Sequence, residues 1–227
     1  MFSKTKALAK AAHFGPTFLI TTISFTLATL LSETSTALGI AYTVFLGQLI
    51  IGWSNDIYDY QDDLKHNRQN KPLVNGQLTV SSLTRTTFLL LPIAMIANLI
   101  GPLGFKGGAV YLLGVGCGIA YNFYFKFSPL SPLPYFIALA ALPASIFYAV
   151  DKAPPLWVLA TSSLLGVAFH FANVLKDLSE DRQSSIGGLP QRAGKKVSIG
   201  IIVLLLVIVT VILMNSPISE TFKSTNP

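Results

Sequence analysis

Seven stretches of the chain, roughly 14–31, 37–54, 86–105, 107–125, 132–150, 155–175 and 197–214, are apolar and close to membrane-spanning length. About 20 mostly apolar residues cross the hydrocarbon core as a helix. The pattern therefore predicts an all-α, polytopic transmembrane bundle of about seven helices, forming one membrane domain over residues 1–227. Composition agrees: 52% of residues are hydrophobic and 11% charged, outside the balance of a soluble globular domain. Lys4, Lys6 and Lys10 ahead of the first stretch resemble a secretory leader. Six further spans make a start-transfer first helix the better reading.

The net charge of +6 does not point to nucleic acid, because the basic residues form no stripe interleaved with aromatic rings. They mark orientation instead. Lys4, Lys6 and Lys10, then Lys65, Arg68, Lys71 and Arg85, then Lys126, then Lys176, Arg182, Arg192, Lys195 and Lys196 fall at the N-terminus and in alternate loops. By the positive-inside rule these face the cytoplasm, while Glu33, Lys106, Asp151 and Lys152 face outward. An integral protein of a bacterial inner membrane is expected, with its N-terminus inside and its C-terminus outside. The single Cys117 has no partner for an intrachain disulfide.

Acidic residues are rationed, and their placement carries the functional signal. Seven of the ten Asp and Glu residues lie in two clusters, each following an apolar stretch on the cytoplasmic side. In the first, Asp56, Asp59 and Asp63 are spaced i, i+3, i+7 and share a helical face, with Asn55 one turn from Asp59. Asp62 points elsewhere. In the second, Asn173, Asp177 and Asp181 are spaced i, i+4, i+8. Carboxylates crowded in this way raise one another's pKa and need a cation to stay ionised together. Their oxygens suit Mg²⁺, which commonly also holds substrate phosphates.

Arg68 and Lys71, in the turn-rich loop after the first cluster, are placed to meet anionic oxygens beside the carboxylates, although topogenic charge alone would also account for them. Tyr121, Asn122, Tyr124 and Lys126 close the fourth stretch, where an interfacial aromatic belt would also account for the tyrosines. His170 lies near the second stripe, where packing and one hydrogen bond could equally satisfy it. His13, at the start of the first stretch, fits either an interfacial position or the mouth of a site. Gly114, Gly116 and Gly118 read as contacts for close helix packing.

At these residues the chain resembles the UbiA superfamily of intramembrane prenyltransferases. Asn55, Asp56, Asp59 and Asp63 match the Asn-Asp-x-x-Asp-x-x-x-Asp motif, and Arg68, Lys71, Pro72 and Gly76 match the basic run that commonly follows it. Asp177 and Asp181 match the second motif, and Gly188 to Gly194 looks like the Thr-Leu-Pro-x-Arg-x-Gly region. Tyr121-Asn122 to Lys126 and Asn173 to Asp177 look most like an actinobacterial-type branch of unassigned acceptor specificity. The family fold has nine transmembrane helices, so a chain with seven apolar stretches reads as shortened at its C-terminus.

The resemblance implies Mg²⁺-dependent transfer of an isoprenyl group from a polyprenyl diphosphate to a small acceptor, often an aromatic quinone precursor. It implies that Asn55, Asp56, Asp59 and Asp63 hold one metal ion and Asn173, Asp177 and Asp181 a second, the five aspartates being catalytic. Arg68, Lys71, Lys126 and Lys176 would then contact phosphate, and Tyr121, Asn122, Tyr124 and His170 would border the substrates. Two alternatives stay open: a catalytically incomplete, lipid-binding relative, and a cation transporter. A transporter would carry its carboxylates near mid-membrane on broken helices, not at the cytoplasmic ends.

Overall fold

The computed structural model describes the backbone of residues 2–183 and 187–223, and their side chains except those of Phe2, Ser3, Asp177 and residues 179–183. A short helix α1 (Phe2–Ala11) turns into α2 (Phe14–Thr29). Then come α3 (Thr34–Lys65), α4 (Val80–Ile100), α5 (Gly104–Phe123), α6 (Pro132–Ala149), α7 (Leu156–Gln183), α8 (Leu189–Met214) and the single turn α9 (Ile218–Thr221). A 3-10 turn, Phe125–Phe127, links α5 to α6. The described residues contain no strand.

Each of the seven apolar stretches falls on one of α2 to α8. Five of these helices, α3, α4, α6, α7 and α8, are long and apolar enough to cross a membrane. A sixth span arises if the pair 4–11 and 14–29, bent by 74°, counts as one. Helix α5 falls below that level because six glycines and Lys106 dilute its apolar content. The bend between α1 and α2 is made at His13, which adopts a left-handed backbone (φ 52°).

Helices adjacent in sequence pack side by side from α2 to α8, while α3 also lies against α5 and α2 touches α6. The central cluster joins Ile40 and Val44 of α3, Tyr111 and Val115 of α5, and Leu142 and Ile146 of α6. Tyr111 Oη donates to the Val44 carbonyl at 2.7 Å, which satisfies the phenol inside an apolar core. Of the three glycines read as packing contacts, Gly118 abuts Ile51 of α3 and Gly114 abuts Ala138 and Ala141 of α6. Gly116 differs: a Cβ there would meet nothing within 4 Å. Helix α8 breaks at Gly194 (φ 76°), and beyond the break its side chains are mostly exposed and apolar.

The N-terminus of α2 and the C-termini of α3, α5 and α7 share one end of the bundle, where His13, the first acidic stripe, Lys126 and Lys176 gather around one cavity or its border. The α3–α4 loop is pinned there by Leu73 and Leu78, buried against Trp53 and Leu83. Helix α4 then starts on a reciprocal capping box between Thr79 and Ser82.

Candidate active site

Helix α3 runs for 32 residues, a length of ~48 Å against a hydrocarbon core of ~30 Å. Its last three turns, from Asn55 onward, therefore project past the apolar part and carry the first acidic stripe. Asp56 and Asp63 are buried, each side chain only 2% exposed, whereas Asp59 is 24% exposed and faces a cavity.

Each of these carboxylates meets a cation. Lys71 Nζ donates to Asp56 Oδ1 at 2.5 Å and stands 3.8 Å from Asp63 Oδ2. Arg68 donates to Asp63 Oδ1 at 2.7 Å and lies 3.6 Å from Asp62. Lys126 pairs with Asp59 and sits 4.8 Å over the Tyr58 ring. His13 Nε2 completes the group, 2.9 Å from Asp56 Oδ1.

Local sequence explains the placement. Arg68 N–H bonds the Asp63 carbonyl at 3.0 Å and Lys71 N–H the Arg68 carbonyl at 2.9 Å, folding the loop back beneath α3. On the other side α5 stops at Phe123, and the 3-10 turn swings Lys126 inward. The same change of register leaves Tyr124 75% exposed and away from the cavity. Burial pushes the Asp56 carboxyl up, but the His13 hydrogen bond and the Lys71 charge outweigh it and hold the group below its ordinary value. At Asp63 burial wins over Lys71 and Arg68, and the carboxyl is raised.

Asn122 is the hub between α3 and α5. Its amide donates to the Ile51 carbonyl at 3.1 Å and Ser54 Oγ at 3.0 Å, and its oxygen accepts from Asn55 at 3.2 Å. Asn55 in turn donates to Asp59 Oδ2 at 3.1 Å.

A polar chamber of about 470 Å³ brings together His13, Asn55, Asp59, Arg68, Lys71 and Lys126. Tyr121, Asn122, Asn173 and Lys176 also line it. It continues inward to a smaller space of about 170 Å³ bordered by Gln48, Tyr121, Tyr135 and Phe169. Ile20, Leu139, Leu142 and Phe169 then border both that space and an apolar groove of about 790 Å³ between α2 and helices α6 to α8. His170 stands behind the chamber wall, buried, with its ring edge-on to Tyr121 and 4.7 Å from Tyr135. Its Nε2 lies 3.0 Å from Ser131 Oγ, which also accepts from the Leu189 N–H at 2.9 Å.

Asp177 and Asp181 lie on the backbone of α7 at the expected spacing from Asn173, but their side chains fall outside the described residues. The oxygens on α3 are hard donors of the kind Mg²⁺ takes. Asp56 Oδ2 is buried without a hydrogen-bond partner, an oxygen open to a cation. Among the described residues no three His, Cys, Asp or Glu side chains converge closely enough to hold an ion.

Gln48 and Tyr135 are among the chamber residues missed by sequence reasoning. Gln48 is the sole amide side chain in its apolar stretch, and that polarity was the available signal. Tyr135, just past Pro132-Leu133-Pro134, had no distinguishing signal.

The structure resembles several solved proteins. A digeranylgeranylglyceryl phosphate synthase aligns with a TM-score of 0.72 at 18% identity, over 97% of this chain and 78% of the other. A UbiA homologue from Archaeoglobus fulgidus bound to GPP and Mg²⁺ aligns with a TM-score of 0.75 at 16% identity, over 95% and 81%. Another structure of a UbiA homologue from that organism gives 0.76 at 14% identity, over 95% and 80%. These likenesses concern the fold. No curated protein is significantly similar to the chain in sequence. Residues 16–222 match the UbiA prenyltransferase family, so the acidic stripe on α3 and the chamber beside it belong to a member of that family of integral membrane proteins.

Proposed function

We propose that this chain is a Mg²⁺-dependent prenyltransferase that moves an isoprenyl group from a polyprenyl diphosphate to a small acceptor at the cytoplasmic face of a bacterial inner membrane. The observation that carries the reading is the chamber itself. Arg68, Lys71, Lys126 and Lys176 border one space that also holds Asn55 and Asp59 and leads into an apolar groove. An amphiphile with a polyanionic head and an apolar tail matches both ends. One relative of the same fold is bound to GPP and Mg²⁺.

The four basic side chains bind and orient the diphosphate by charge-assisted hydrogen bonds. Bound Mg²⁺, held by Asn55, Asp56, Asp59 and Asp63 with Asn173, Asp177 and Asp181, would neutralise charge developing on the leaving group. The allylic C–O bond breaks and its electron pair leaves with the diphosphate. The acceptor then forms the new bond to the allylic carbon and loses a proton to water. Tyr121 and Tyr135 face the space beside the head-group chamber, where their rings stabilise positive charge on the allylic carbon. An aromatic quinone precursor is the acceptor class we favour.

The test is mass spectrometry of products from the purified protein, Mg²⁺, a polyprenyl diphosphate and a panel of acceptors. Turnover is expected in the wild type and absent in Asp59→Asn and Asp177→Asn. Equal turnover in all three would refute the mechanism, and none in any would indicate a lipid-binding relative without activity.

A further inference from the structure

The chain supplies its own cations to the carboxylates that the proposed reaction needs for metal. Lys71 bonds Asp56, Arg68 bonds Asp63, and Lys126 bonds Asp59. These are not loose surface pairs, which contribute little. Asp56 and Asp63 are 2% exposed, and the Lys126 side chain is 6% exposed. An uncompensated charge so buried is costly, so each pair stays closed until another ion replaces a partner.

Two further observations indicate that these pairings belong to one state of a site with two. The cations in question, Arg68, Lys71 and Lys126, all border the chamber with Asp59, whereas Asp56 and Asp63 do not line it. A diphosphate entering the chamber meets the cations before it meets those two carboxylates. Moreover, Asp56 uses only half its capacity: Oδ1 holds both His13 and Lys71, while buried Oδ2 has no partner.

We propose that Arg68, Lys71 and Lys126 are positioning residues for the carboxylates as well as phosphate ligands. In the substrate-free protein they act as internal counter-ions to Asp63, Asp56 and Asp59. The diphosphate of the donor draws their N–H groups onto its own oxygens, which bares the carboxylates to a divalent ion. Ion and diphosphate are therefore taken up together, and the site has low affinity for the ion alone. This rests on the prenyltransferase reading but goes beyond it, since a metal site of fixed geometry would bind its ion without help.

The experiment is equilibrium dialysis of the full chain in detergent micelles against buffers of fixed free Mn²⁺, with and without inorganic pyrophosphate. In the wild type, pyrophosphate is expected to lower the half-saturating Mn²⁺ concentration by about tenfold or more. In Lys126→Met, checked for helix content and monodispersity, the half-saturating concentration without pyrophosphate is expected to fall by about fivefold, because Asp59 has lost its counter-ion. Equal wild-type affinity with and without pyrophosphate overturns the counter-ion role and leaves the metal reading standing. Weaker Mn²⁺ uptake in Lys126→Met also overturns it. No Mn²⁺ retained under any condition overturns the metal reading and this proposal together. If Lys126→Met fails to fold, the two wild-type measurements decide.

Discussion

Truncating Asn122 separates positioning from substrate contact. The residue is 4% exposed, and its side chain makes three hydrogen bonds, two to α3 backbone and hydroxyl groups and one from Asn55. None of those partners depends on it alone. Ser54 Oγ still donates to the Ile51 carbonyl at 2.8 Å, and Asn55 still donates to Asp59 at 3.1 Å. No buried group is thus stripped of its last partner, so the larger penalty for an unsatisfied polar atom does not apply. Three lost bonds at roughly 1 kcal/mol each set the cost of Asn122→Ala at about 2–3 kcal/mol. For a chain of this size that corresponds to a fall of about 5–10 °C in the unfolding midpoint, read by thermal denaturation in detergent.

The kinetic consequence follows from which residues are left alone. The hydrogen bonds of Asn122 go to Ile51, Ser54 and Asn55 and not to the chamber cations, so KM for the prenyl diphosphate should stay within about threefold. Asn55 loses its anchor beside Asp59, and kcat should fall by about tenfold or more, which is ~1.4 kcal/mol of transition-state stabilisation. A raised KM with kcat intact would place Asn122 against the substrate and refute the positioning argument. An unchanged midpoint would refute the hydrogen-bond hub itself.

Other expectations follow from the same geometry. A Cβ on Gly52 would strike the backbone of Ala12, beside the corner that presents His13 to Asp56. Gly52→Val should therefore cost about 1–3 kcal/mol by overpacking, seen as a lowered unfolding midpoint, and an unchanged midpoint would show that the corner yields. Tyr135→Leu removes a ring from the inner space and should shift products from transfer towards the free prenyl alcohol formed by water, measured by chromatography. An unaltered ratio would remove Tyr135 from the reaction. Chelation with EDTA should abolish turnover and Mg²⁺ should restore it; full activity after exhaustive chelation would count against the metal-dependent reaction.

What the sequence made legible was whatever depends on spacing along one helix. Seven apolar stretches became α2 to α8, and the i, i+3, i+7 spacing placed Asp56 and Asp63 together, both within reach of Lys71. Asp62, set apart by the same spacing argument, lies near His66 yet shares Arg68 with Asp63. Partnerships between distant segments were not legible. Lys126 meets Asp59 because Gly118 lets α5 close against Ile51 of α3 and because α5 ends at Phe123. Tyr124, two residues before Lys126, turns outward for the same reason. A helical reading carried through 125 could not tell these two apart. His170, read as bordering substrate, instead supports Tyr121 and Tyr135 from behind.

The length of α3 unites these points. A charged cluster inside the hydrocarbon would carry a large desolvation cost, yet a cluster fully in water would leave each carboxylate paired only weakly. By overrunning the apolar stretch by about three turns, α3 puts Asp56 and Asp63 beyond its apolar part, where protein buries them. The α3–α4 loop and the turn after α5 then bring Arg68, Lys71 and Lys126 to that depth from two sides. The chamber wall they form is cationic and carries its carboxylates beneath or between those cations. The apolar groove begins beyond Tyr121 and Tyr135. A polyanionic head and an apolar tail would therefore separate along one short path, with the bond between them lying near the two aromatic rings.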